Sequence, residues 1–315
     1  MKKIIVSVLL ILVLLFSCTA QAEGSLHIVA TIFPEYDWVL QILGEDSDAE
    51  VTLLLDNGVD LHSFQPTADD IISISDCDVF LYVGGESDAW VDEVLSAARN
   101  TDMRVIDLLE VLGDSAMEEE LKEGMEAEEE EEEGEDEEEE IEYDEHVWLS
   151  LRNAQTLVSA VCDALCEIDS GSAEAYRANT DAYLEKLTAL DTAYAEAVDA
   201  AEMKTLLFCD RFPFRYLTED YGLDYYAAFS GCSAESEASF ETMAFLTEKR
   251  KELALKHIVI LEGSDGRLAQ TVSGGQCDIL TLDSMQSTTL KDVENGCTYL
   301  SVMEKNLETL KQALN

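Results

Sequence analysis

From residue 172 to 201 the chain reads SAEAYRANTDAYLEKLTALDTAYAEAVDAA, a run with no Gly or Pro in it. Ala, Glu and Leu favour helix and nothing in the run breaks one. At 1.5 Å per residue it predicts a single helix about 45 Å long. One layer of a domain needs less than that. A rod of this length, set past the middle of 315 residues, points to two bodies joined rigidly rather than by a flexible hinge.

The flanking segments share one grammar. Before the rod, LHIVATIF, AEVTLLL, DVFLYVGG and MRVIDL are short apolar runs separated by helical stretches. After it, KTLLFC, LDYYAAF, HIVILEG and CDILTLD repeat the pattern and end in a helix over 298–314. Continuous apolar strands alternating with helices predict parallel sheet covered on both faces. The expected class is α/β: two lobes, each with a mainly parallel four-stranded sheet, joined by one long rigid helix. The lobes are expected over 23–170 and 202–315, with the linker helix over 171–201.

The formal net charge is −49, and hydrophobic residues make up 47%. The first figure excludes nucleic acid, whose phosphates need a basic footprint, and favours cationic partners. The second leaves ample apolar surface for a core. Twenty acidic residues and one Lys lie between 118 and 145, and the remainder of the chain still carries −30. A Glu tract of this kind cannot offset its ordering entropy, so 117–141 is expected to be a disordered insertion in the first lobe.

Lys2 and Lys3 precede an apolar run over 4–16 that is too short to span a bilayer, the pattern of an export signal over 1–22. Leu15-Phe16-Ser17-Cys18 resembles a lipobox and predicts a lipid anchor at Cys18, holding an extracytoplasmic protein to the cell membrane. Cleavage after Ala22 is the alternative, which would make the protein periplasmic. Seven further cysteines are an odd number with no CxxC spacing. This argues against a structural zinc cluster and leaves buried thiols or one or two disulfides open. Cys162 and Cys166 are expected to be packed thiols on one helix.

In α/β sheets ligands gather outside the carboxyl ends of strands. His62 and His146 fall in such loops, as do Asp210 and Asp283, and Glu262 ends a strand. Imidazole with carboxylate suits a borderline divalent cation. Such a site would lose affinity as pH falls through the imidazole range near 6.5. His27 and His257, within or at the start of strands, are expected to be structural. No HExxH, Walker A, GxGxxG or GxSxG occurs, so an enzyme is not expected.

The segments IVATIFPEYDWVLQILGE, GVDLHSFQPTADDI, YDEHVWLSLRNA, YGLDYYAAF and YLSVMEKNLETL, in this order, resemble the solute-binding receptors of zinc and manganese ABC importers. The resemblance implies two α/β lobes joined by one long helix. It also implies that His62 and His146 are metal ligands and that an ABC permease in the membrane is the partner of a monomeric receptor. The family's third ligand falls on Arg211, which cannot ligate a metal. Asp210 beside it is the expected substitute, and Asp283 matches the aspartate ligand of the manganese-type members. The expected set is therefore His62, His146, Asp210 and Asp283 holding Zn2+, with Mn2+ as the alternative. The rival expectation is a cell-surface adhesin on the same fold.

Overall fold

A computed structural model describes residues 25–126, 142–233 and 237–315. The export signal, Cys18 and most of the Glu tract (127–141) lie outside these residues.

Strand β1 (His27–Ala30) is the buried centre of the first lobe. It pairs in parallel with β2 (Glu50–Leu53) and β3 (Val79–Tyr82), and β3 pairs in parallel with β4 (Arg104–Asp107). The order is β2-β1-β3-β4. Parallel neighbours need crossovers, and helices α1 (Phe33–Leu43), α2 (Ala68–Asp76) and α3 (Val91–Ser96) supply them. Pro34 sits in the first turn of α1 and Gly44 caps it at φ 76°, a conformation open to glycine at little cost. A short helix α4 (Leu108–Leu112) follows β4.

In the second lobe β5 (Thr205–Leu207) pairs with β6 (Asp224–Tyr226), and β7 (His257–Leu261) with β8 (Asp278–Leu282), all in parallel. The expected four-stranded sheet is present as these two pairs, joined by a single parallel bridge between Phe208 and Val259. The order β6-β5-β7-β8 repeats the winding of the first lobe. Three-residue strands leave too little backbone for a longer ladder across the middle.

Helices α5 (Leu151–Ile168) and α6 (Ala173–Ala200) lie between the lobes, and α6 is the expected rod. Tyr176, Thr180, Tyr183, Leu187, Leu190, Tyr194 and Val198 form its buried stripe, spaced three and four apart as one helix face requires. Near one end Asn179 donates to the Ile42 carbonyl at 3.0 Å. Farther along, Tyr194 donates to the Met303 carbonyl at 2.7 Å, on the C-terminal helix α7 (Tyr299–Ala313). One apolar core runs from β1 through α6 into α7, so the lobes are fused by packing as well as by the rod. Trp148 donates to the Ser284 carbonyl across the interface at 2.8 Å, and Tyr299 donates to the Trp148 carbonyl at 2.6 Å.

The insertion expected to be disordered from 117 onward begins instead with placed chain. Glu118 bridges to Tyr143 and Glu126 to Phe229. Arg215 meets Glu120 at 2.6 Å, and Lys122 meets Asp224 at 2.9 Å. Lys122 also lies 3.9 Å from the centre of the Tyr225 ring. This stretch therefore finds opposite charge and aromatic surface on the second lobe, partners its composition alone does not show. All seven described cysteines are free. Cys162 and Cys166 face each other at 3.9 Å, one turn apart on α5.

Glu35, fully buried in the first turn of α1, accepts the Thr31 and Ile32 amides and the Thr31 hydroxyl on one oxygen. Burial, with the Asp88 charge nearby, pushes its pKa up to about 8 from 4.5. The native state therefore holds a proton that the unfolded chain releases. Glu35 contributes most stability below pH 4.5, and that contribution is lost as pH rises through about 8. Glu35→Gln removes this dependence. Chemical denaturation should show its stability curve shallower than wild type by up to about 1.4 kcal/mol per pH unit across this window.

Candidate metal centre

His62 follows β2 on a one-turn 3-10 helix (Leu61–Ser63) whose cap, Asp60, accepts the His62 amide at 3.1 Å. His146 caps a second such turn (Val147–Leu149), which leads directly into α5. These short turns bring two side chains 84 positions apart into contact. Their Nε2 atoms lie 3.2 Å from each other and their ring centres 5.1 Å. His146 is fully buried.

The Nδ1 atoms have different partners. His146 Nδ1 lies 3.0 Å from Asp144 Oδ1. His62 Nδ1 lies 2.8 Å from Ser87 Oγ and 3.4 Å from Glu145 Oε2. Carboxylates only accept, so these partners favour a hydrogen on each Nδ1 and a lone pair on each Nε2. Two lone pairs then converge on one point, and a cation or a proton must occupy it. The geometry fits zinc: with Zn–N near 2.05 Å, a 3.2 Å gap subtends about 103°, close to tetrahedral.

The charge around the pair is negative. Burial alone would lower the His62 pKa, but the Glu145 hydrogen bond and the Asp60 and Glu145 charges outweigh it and hold it above 6.5. Burial would raise Glu145, and His62 and Ser87 reverse this, leaving it below its usual value. Asp60 is likewise held low against its burial by His62 and Arg211.

The second lobe brings Cys232 to this place. Its Sγ and the ring nitrogens of His62 and His146 all lie within 4.8 Å of one another, the one such trio of metal-capable side chains among the described residues. Burial first, then the Asp144, Glu119 and Glu145 carboxylates, push its thiol pKa up.

Asp210 and Asp283 are not brought to the histidines. Asp210 accepts the Arg211 amide on Oδ1 at 3.0 Å and the Leu261 amide on Oδ2 at 3.2 Å, which fastens the end of β5 to β7. Asp283 Oδ1 accepts the Met285 amide at 2.9 Å. Glu262 accepts the Ser284 amide and hydroxyl, and burial with the Asp283 charge raises it to about 7. Arg211 reaches back across the interface to Asp60 at 2.6 Å. A cleft of about 920 Å³ runs past Asp60, His62, Asp210, Arg211 and Glu262. A smaller one of about 210 Å³ opens onto His62 and Cys232 between Glu86, Glu119, Glu142 and Glu145.

Sequence reasoning does not single out Cys232, because spacing alone leaves it one of seven cysteines. Its place in AAFSGC, just beyond the carboxyl end of β6, was the available signal. Asp144 and Glu145 were concealed by the Glu run that precedes them.

Comparison with known proteins agrees with this architecture. A family model described as "ZnuA: Zinc-uptake complex component A periplasmic" matches residues 28–313. The zinc-binding lipoprotein AdcA of Streptococcus pneumoniae serotype 4 is 35% identical over 295 residues, covering 93% of this chain and 56% of that protein. The chain thus spans little more than half the length of this relative. The high-affinity zinc uptake system protein ZnuA of Bacillus subtilis is 32% identical, covering 94% of this chain and 90% of that protein. Among solved structures, the Zn(II)-bound ZnuA-like domain of S. pneumoniae AdcA superposes with a TM-score of 0.72 at 33% identity, covering 92% of this chain and 99% of that one. A laminin-binding adhesin of Streptococcus agalactiae reaches a TM-score of 0.74 at 21% identity, covering 93% of this chain and 100% of that one, a likeness of fold alone. The family match takes in almost all of both lobes, and the chain therefore belongs to the zinc-uptake complex component A family.

Proposed function

We propose that this protein captures a zinc ion between its lobes at His62 and His146 and delivers it to an ABC permease. The observation that carries the reading is the converging Nε2 pair at 3.2 Å, with each Nδ1 set against a hydrogen-bonding partner. Rings oriented in this way are prepared for an ion without further rearrangement. Imidazole nitrogens favour zinc over manganese. Capture outside the cytoplasm is supported by the family and by the export-signal pattern, and a lipid anchor at Cys18 by the lipobox-like Leu15 to Cys18. Family relatives act in uptake rather than catalysis. The adhesin alternative has only a likeness of fold in its favour.

Calorimetric titration of the purified protein should show one tight zinc site that the His62→Ala/His146→Ala double variant lacks. Weak, multiple binding retained by the variant would leave the Glu tract as the cation binder and end the receptor reading.

Asp144→Asn leaves the ligands in place but removes the carboxylate that orients His146. Its zinc affinity should fall about 10–100-fold, while the melting temperature without metal changes little. Wild type held at free zinc a hundred times Kd should gain about 2.7 kcal/mol of stability, measurable by denaturant titration, and the double variant should gain none.

A further inference from the structure

We propose that Cys232, as a thiolate, is the ligand the second lobe contributes to the ion held by His62 and His146. The inference rests on the capture reading above and says which chemistry closes the site from the other side.

Three observations support it. First, the sulfur and the two imidazoles already share one place, with their ligand atoms within 4.8 Å of one another. Second, the second-lobe residues at the expected ligand positions already hold other partners. Arg211 spends its guanidinium on Asp60 at 2.6 Å. Both oxygens of Asp210 hold backbone amides, and Oδ1 of Asp283 holds another.

Third, the loop is shaped for close approach. A Cβ on Gly231 would stand 2.9 Å from the Phe212 carbonyl oxygen and 3.0 Å from His146 Cε1. Only glycine lets this backbone lie against the histidine ring. Glu119 accepts the Cys232 amide at 3.1 Å, and Arg211 donates to the Ser233 carbonyl at 3.5 Å. The backbone that carries the sulfur is thus held on both sides, and Glu119 and Arg211 act as positioning residues.

Loading breaks the Sγ–H bond, releases that proton to solvent and forms an S–Zn bond, normally about 2.3 Å long. Two imidazoles and a thiolate occupy three corners of a tetrahedron. A thiolate is a poor partner for manganese and a good one for zinc, so Cys232 sets the site's preference between the two ions.

Cobalt(II) is the probe, because a coordinated thiolate gives it an intense near-ultraviolet charge-transfer band. Wild type loaded with one equivalent should show this band. Cys232→Ser should lose it, bind zinc at least about 100-fold more weakly, beyond the loss of an orienting partner alone, and discriminate less between zinc and manganese. Wild type that binds one ion through the histidines with no such band would overturn the thiolate assignment and leave the capture reading intact. A band that persists in Cys232→Ser would assign the sulfur to another cysteine and also overturn it. A stoichiometric ion retained by the His62→Ala/His146→Ala variant would instead remove the capture reading on which the assignment rests. The wild-type spectrum requires no variant to fold.

Discussion

Trp148 joins the lobes and the site in one side chain. Its indole is fully buried, its Nε1 hydrogen goes to Ser284 of the second lobe, and its carbonyl receives the Tyr299 hydroxyl. Tyr299 in turn packs edge-on against Trp38 at 5.4 Å. Two residues before Trp148 stands His146, its ring 5.3 Å from the indole. A buried indole with its one donor satisfied has little freedom to move, so the interface that fuses the lobes also fixes one imidazole.

The other imidazole is fixed by charge and hydrogen bonds. Glu145 spans the loop by accepting the Ser87 amide at 2.9 Å, and it also faces His62. Asp60 holds the His62 backbone with one oxygen and Arg211 with the other. Arg211 therefore does in the second lobe what a ligand would do: it ties that lobe to the first across the site. A cation placed there permanently offsets part of the surrounding acid, and the loop that carries Gly231 and Cys232 is the part of the second lobe that comes up to the histidines.

The fold was legible because its signals are local. Buried parallel strands announce themselves as short apolar runs, and α6 as thirty residues without a breaker. His62 and His146 were legible because each follows a recognisable strand or turn pattern. Asp210 and Asp283 satisfied the same positional rule, yet both oxygens of Asp210 and one of Asp283 hold backbone amides. A carboxylate at a strand end serves a ligand or a neighbouring N–H equally well, and sequence position does not distinguish the two uses. The stretch 117–126 shows the converse. Its composition argues for disorder, but Arg215, Asp224 and Tyr225 provide partners about a hundred positions away.

Helix period, strand burial and turn chemistry are set by neighbouring residues, and so the two α/β lobes, the rod between them and the loop positions of the two histidines could be read from local sequence. Only the closed core brings the imidazoles to 3.2 Å, sets Glu145 against His62, and places Cys232 rather than an aspartate beside them from the second lobe. Those contacts join residues 83 to 170 positions apart, and such distances are fixed only when the shared core closes.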